Sequence, residues 1–194
     1  MCAALAGIDV IFRELSEKLT GDNEVAAIVH GASTDAANKQ LIAALSAGRN
    51  IVLDGTMTWR PYVEQIVAMI RLVHTYQFRL GPGWVPQTET EQYFVRGEQL
   101  DEPRQPYHIK MVGVTCDPAV AVSRGFRRKI ITGRGVPIQS QLRSHRLYSE
   151  LFLDLVTLVD EASLYDTTNE TVEIARASID NGRRTFGFCT SLGV

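Results

Sequence analysis

The sequence predicts an α/β fold, a parallel sheet flanked by helices and interrupted by an inserted β-hairpin. Three observations carry this expectation. A long helix-forming stretch ends at Gly48 and is followed at once by the apolar run Ile51-Val52-Leu53-Asp54. Helix, glycine and apolar strand in succession is the rhythm of a parallel sheet, whose strands are covered on both faces. Next, Val63, Ile66, Val67, Ile70 and Val73 recur at helical spacing, and then Tyr76 to Leu80 alternates at the period of a strand. At 194 residues, 45% apolar and 22% charged, the chain is sized for one domain and able to bury a core, so disorder is excluded as its main state.

Each element follows from local pattern. Asp9 to Lys18 sets Val10, Ile11 and Leu15 at helical spacing and predicts a short helix. A longer helix runs from about Asp22 to Ala47, with Leu41, Ile42 and Leu45 on one face and Gly48 where a C′ glycine ends a helix. Ile51 to Asp54 is too short for a helix and rich in branched residues, so it reads as a buried strand ending in an acid. Pro61 suits the first turn of the helix Tyr62 to His74. The alternating run from Tyr76, then Gly81-Pro82-Gly83 and Tyr93-Phe94-Val95, predicts a β-hairpin over 76–98. Pro86, Pro103 and Pro106 extend this insertion as loop to 106.

Ile109 to Thr115 is the second core strand, ending at Cys116-Asp117. Pro118 opens a helix with Val120, Ala121, Ile130 and Ile131 as its apolar face, stopped by Gly133 and Gly135 around Arg134. Gln139 to Val159 is a further helix, with Leu147, Leu151, Leu155 and Leu158 on one side. Ser163 to Asp166 is a third short strand. The tail from Asn169 reads as one more helix followed by nine unpacked residues. No internal repeat is visible.

Composition narrows the function classes. Cys2, Cys116 and Cys189, odd in number and widely spaced, make neither a disulfide framework nor a closed zinc site. They read as free thiols in a reducing compartment. No run approaches the ~18 consecutive apolar residues of a membrane span, and the uncharged start MCAALAGIDV does not read as a signal or transit peptide. The expectation is a cytoplasmic protein without a membrane partner. Net charge is −2, but it is unevenly spread. Pro118 to Ser149 contains no acid and seven bases, Arg124, Arg127, Arg128, Lys129, Arg134, Arg143 and Arg146. The other 13 bases face all 22 acids, so the rest of the chain is at −9. Such a block is the footprint of an anionic partner, whether phosphate, nucleic acid or an acidic protein.

Two motifs are able to carry chemistry. Asp54-Gly55-Thr56 stands at a strand end, where open α/β sheets bind ligands. There an aspartate holds Mg²⁺ through water, accepts a substrate hydroxyl or, alternatively, caps the following turn. Gly55 allows close approach and Thr56 adds a hydroxyl. In the second motif, Arg124, Arg127 and Arg128 share one side of a helix by their spacing, and Arg134 follows between two glycines. Guanidinium groups bind phosphate bidentately and neutralise charge spreading over a transferred phosphoryl group. Arg143 and Arg146 read instead as a solvated face. His30, His74, His108 and His145 are too scattered for a metal triad. Trp59 stacks on a base or packs in the core, and the core reading is preferred.

Together, VLDGTMTW, YHIKMVGVTCDPAVAVSRGFRRKIITGRGVP and SQLRSH resemble the zeta-toxin-like P-loop kinase family, in particular its plant-type branch described as P-loop NTPase or calmodulin-binding. The resemblance covers about residues 8–166. It implies an incomplete P-loop-kinase-like parallel sheet over residues 1–168, with 169–194 as a divergent tail. It also implies an ATP- and Mg²⁺-dependent phosphotransferase acting on a small-molecule or sugar-nucleotide hydroxyl. By position, Asp54 and Thr56 would contact that substrate. Arg124 and Arg134 would be catalytic lid residues, with Arg127 and Arg128 as further anion-binding groups.

Besides its tail, the sequence departs from the family in two respects. It contains no glycine-rich loop ending in Gly-Lys-Ser/Thr, and no acid precedes the first predicted helix where the family carries its catalytic aspartate. The chain therefore reads as the C-terminal part of such a kinase, inactive alone. A second reading is a binding module whose basic helix within 118–149, carrying Phe126, Ile130 and Ile131, engages calmodulin or another acidic partner. Nucleic-acid binding is weaker, because aromatic residues are sparse within the block.

Overall fold

The computed structural model describes residues 22–85, 87–133, 135–180 and 183–189. The short helix expected at Asp9 to Lys18 lies outside them. The chain divides into two compact units, residues 1–53 with 68–106 and residues 54–67 with 107–194.

In the first unit, helix α1 (Asp22–Ser46) ends as its sequence dictates. Gly48 takes φ 69°, its N–H bonds the Leu45 carbonyl at 3.0 Å, and the Arg49 N–H bonds Ala44 at 3.0 Å. This is the paired closure of a glycine-terminated helix, which only a residue at ease with positive φ makes cheaply. Helix α2 (Arg60–Leu72) is divided between the units, its residues 60–67 counted with the second and 68–72 with the first. Of its expected apolar stripe, Val63, Ile66 and the following Val73 are buried, whereas Val67 and Ile70 are only half-buried and Met69, which was not expected there, joins the buried set. Strands β1 (Tyr76–Val85) and β2 (Thr90–Gln99) form the antiparallel hairpin, with Tyr76 opposite Gln99 and Val85 opposite Thr90. Arg104 ties the chain leaving the hairpin back to the end of α1, through its guanidinium on the Ser46 carbonyl. Its N–H reaches His74 at 2.8 Å.

The second unit holds a four-stranded sheet in the order β3-β4-β5-β6, built from Lys110–Thr115, Glu161–Asp166, Val172–Asp180 and Arg183–Phe188. Helices α3 (Pro118–Thr132) and α4 (Ile138–Val156) connect β3 to β4. Only β3 and β4 are parallel, and the remaining pairs are antiparallel. The fully parallel sheet expected from the α/β rhythm is therefore a mixed sheet. The core gathers Val156, Val159, Ala162 and Ala177, with Ile109, Met111 and Phe152 packed against it. Arg184 on β6 closes the C-terminal end of α4, donating to the carbonyls of Val156 at 2.6 Å, Thr157 at 3.1 Å and Val159 at 2.9 Å. A cation on the orphan carbonyls of a helix end satisfies their hydrogen bonds and opposes the negative end of the dipole.

Four expectations are corrected. Ile51 to Asp54 is not a strand, and Val52 is 73% exposed, because an apolar run becomes a strand only with a neighbour for its backbone groups. Strand β3 is an edge strand rather than a central one, and Val112 and Val114 are exposed on one face. Among the described residues, the tail from Asn169 is not helical and forms β5 and β6 instead. Val172 to Ile179 alternates at period two, and Asn181-Gly182, the strongest short hairpin signal, lies between β5 and β6. Finally, α3 buries none of its residues, so Ile130 and Ile131 form no packed face.

The seat of α4 on β3 is set by Gly113. A Cβ there would meet the Tyr148 hydroxyl, Phe152 Cε2 at 2.7 Å and Leu164 Cδ1 at 2.9 Å. Gly113→Ala should therefore destabilise the fold by roughly 1–3 kcal/mol through overpacking. Adding Tyr148→Phe, which removes the nearest atom, should recover part of that loss. Urea midpoints of the two variants and the parent check this, and an unchanged midpoint for Gly113→Ala would refute the packing account.

Candidate functional site

The parallel pairing of β3 and β4 brings their carboxyl ends to one edge, with Thr115 opposite Asp166. Each strand end continues into polar residues that knit together. The Thr167 N–H donates to the Thr115 carbonyl at 2.9 Å, and its hydroxyl donates to the same oxygen at 3.1 Å. The Asp117 N–H donates to Thr168 Oγ1 at 2.8 Å. Asp117 also opens α3, its carboxylate accepting from the Ala119 N–H at 2.7 Å with Pro118 following as the first helical residue. The Thr168 hydroxyl and N–H, the latter 2.7 Å from Asp166 Oδ1, hold the Asp166 carboxyl below its ordinary range.

Arg124 reaches into this edge from α3. Its Nη1 lies 3.2 Å from Thr167 Oγ1, and its Nη2 donates to the Thr167 carbonyl at 2.5 Å and toward that of Thr168 at 3.5 Å. Among the described residues these partners are all neutral oxygens. They fix the guanidinium in direction without cancelling its charge, which remains available to an anion.

The other expected residues divide. Arg127 and Arg128 are exposed on α3, and the Arg128 carbonyl accepts from the Thr132 hydroxyl at 2.8 Å. Arg134 lies outside the described residues. Arg146 pairs with Glu150 at 2.7 Å on the surface, in keeping with its reading as a solvated side chain. Asp54 and Thr56 are exposed, and Thr56 Oγ1 lies 3.1 Å from Thr58 Oγ1. Among the described residues, no hydrogen bond or ion pair links Asp54 or Thr56 to the arginines of α3. Trp59 is 54% exposed, which corrects its assignment to the core.

Sequence reasoning missed Thr115, Thr167 and Thr168. Their signal was present, because β4 ends at Asp166 and Thr167-Thr168 follow it, the same succession of acid and hydroxyl that drew attention to Asp54-Gly55-Thr56 in the sequence. Among the described residues, no three His, Cys, Asp or Glu side chains gather as a metal site, and no helix is long and apolar enough to cross a membrane. The residues suit a phosphate-bearing ligand more than a dedicated metal cage, since Arg124 is held by neutral oxygens and the carboxylates of Asp117 and Asp166 are engaged with backbone.

No protein-family model matches the sequence, and no solved structure matches it. The sequence is 40% identical over 170 residues to the calmodulin calcium-dependent NAD kinase of Arabidopsis thaliana, an alignment that takes in 82% of this chain and 32% of that protein. The chain thus spans about a third of the length of this curated relative. Over most of its length, it is similar to one portion of a kinase.

Proposed function

We propose that the chain is the part of an ATP-dependent phosphotransferase of zeta-toxin-like type that holds the acceptor and neutralises phosphate charge. A nicotinamide dinucleotide is the acceptor that the name of its relative suggests. One observation carries this reading, the Arg124 guanidinium held by neutral oxygens at the carboxyl ends of a parallel strand pair with its charge uncompensated. An acceptor hydroxyl oxygen attacks the γ-phosphorus of ATP, its proton passes to water, the bond to the bridging oxygen breaks so that ADP leaves, and negative charge spreads over the transferred group. Asp54 and Thr56 receive the acceptor hydroxyl, Asp54 taking its hydrogen bond. Arg124 and Arg134 offset the developing charge, and Arg127 and Arg128 add to the local positive potential. Mg²⁺, arriving on the nucleotide phosphates, supplies further charge neutralisation.

No glycine-rich loop ending in Gly-Lys-Ser/Thr exists in the sequence, and with it the backbone cradle for the phosphates is missing. The expected outcome is that these 194 residues bind Mg²⁺-ATP weakly and transfer no measurable phosphate. Arg124→Ala should weaken that binding roughly 10- to 100-fold, the range for a lost charged hydrogen-bonding partner. Arg124→Lys should recover part of it, and Arg146→Ala, which removes a base already paired, should leave it unchanged. Calorimetric titration of samples with matching cooperative melts decides. Equal binding by Arg124→Ala overturns the assignment of Arg124, and steady turnover lost in Arg134→Ala overturns the inactivity of the chain.

A second reading has its own observation. Helix α3 exposes Phe126 (62%), Ile130 (71%) and Ile131 (69%) among Arg127, Arg128 and Lys129, the combination that an acidic, helix-gripping partner such as calmodulin recognises. Calcium-dependent capture of the whole chain on immobilised calmodulin should be lost in a Phe126→Asp/Ile130→Asp variant. Capture that survives this change, or that ignores calcium, removes the reading.

A further inference from the structure

The segment 54–59 joins an exposed acid to an exposed tryptophan over a short stretch outside any helix or strand. Its backbone is anchored at both the middle and the end. Met57 takes φ 53°, a left-handed conformation that costs a non-glycine residue about 1–2 kcal/mol, and the hydroxyls of Thr56 and Thr58 meet across it at 3.1 Å. At the end, the Trp59 carbonyl receives the Val63 N–H at 3.1 Å as α2 begins. Arg60, the next residue, is pinned to Glu64 at 2.8 Å and to Asp154 of α4 at 2.7 Å. The Trp59 main chain is thus fixed between a hydrogen-bonded turn and an ion-paired helix start, while its side chain stays 54% exposed. Beside Gly55, an added Cβ would meet nothing within 4 Å, so the space next to Asp54 is open.

A large aromatic face held on a fixed backbone loses little conformational entropy when a planar ring settles on it. We infer that Trp59 is the platform on which a ring of the acceptor dinucleotide stacks, while the ribose hydroxyl of the same nucleoside meets Asp54. In a nucleoside, ring and ribose are joined by one bond, and Asp54 and Trp59, five positions apart on one segment, offer a carboxylate and a ring face to read the two. This rests on the acceptor reading above and adds the residue that tells a dinucleotide from a bare sugar phosphate. Trp84, the other tryptophan, stands on β1 opposite Glu91 in the other compact unit and serves as the internal control.

The test uses the whole chain with Trp84→Phe, leaving Trp59 as the one indole reporter. NAD and nicotinamide mononucleotide should quench its fluorescence saturably, and ribose 5-phosphate at equal concentration should not. By calorimetry, Trp59→Leu should weaken NAD binding roughly 5- to 150-fold, the range for loss of one stacked base, and Trp59→Phe should retain most of it. NAD binding that is equal in Trp59→Leu and the parent overturns the inference, as does quenching by ribose 5-phosphate alone. If NAD fails to bind while Mg²⁺-ATP binding still depends on Arg124, stacking falls and the phosphotransfer reading stands. If NAD binds through Trp59 while Arg124→Ala leaves Mg²⁺-ATP unaffected, stacking stands and the phosphotransfer reading falls.

Discussion

Parallel pairing of β3 with β4, in register from Lys110 opposite Glu161 to Thr115 opposite Asp166, is the constraint on which the second unit depends. Two parallel strands require a long crossover, and α3 and α4 are that crossover. Their pairing also places both carboxyl ends at one edge, so the last residues of two distant segments become neighbours. Helix α4 is able to lie close on β3 because Gly113 presents no side chain to Tyr148, Phe152 and Leu164. Arg184 then ties the far end of α4 to the last strand. Removing the parallel register would separate Thr115 from Thr167 and leave Arg124 without the carbonyls that orient it.

Electrostatics divide the arginines into two kinds. Arg60, Arg146 and Arg176 each face a carboxylate within 2.8 Å, at exposed positions where solvent screens the pair and its main effect is to cancel charge. On β5, Arg176 is raised by the Glu173 carboxylate, and Glu173 is lowered in turn. Arg124 differs in chemistry rather than in exposure, since backbone carbonyls and a hydroxyl aim it without neutralising it. The acid-free interval from Pro118 to Ser149 makes that difference possible. An acid at almost any surface position of α3 would offer these guanidinium groups a permanent partner.

Periodicity made most of the helical architecture legible. The stripe of α2, the glycine closure of α1 and the proline start of α3 are local events, decided by residues within a few positions of each other. The hairpin β1–β2 was equally local. What failed was non-local. Ile51 to Asp54 has the composition of a strand, but a strand is a relation between two segments, and composition carries no information about the second. Likewise, the antiparallel pairing of β4 with β5 depends on a tail in which a helix is expected from the sequence. In the candidate site, Arg124 stood out by its charge, whereas Thr115, Thr167 and Thr168 did not. Threonines at strand ends are common, and only the parallel register lets Thr167 bond Thr115 while Thr167 and Thr168 offer their oxygens to Arg124.

Helix α3 serves two directions at once. Toward the strand ends it offers Arg124, and toward solvent it offers Phe126, Ile130 and Ile131. Arg128 lies one helical turn beyond Arg124 and Arg127 three residues from it, so a partner gripping the exposed apolar side chains would also engage bases adjacent to the proposed anion site. Two ligands that draw on the same charges are thermodynamically linked, and the linkage is reciprocal. An acidic partner on α3 would lower the positive potential felt by a phosphate at Arg124. A bound phosphate would equally reduce the attraction for the acidic partner. The sign reverses only if the partner leaves Arg127 and Arg128 free and instead stiffens a helix that buries none of its own residues, sharpening the aim of Arg124 at the strand ends. Which of these holds is decided by whether the partner's acids or its apolar side chains carry the contact.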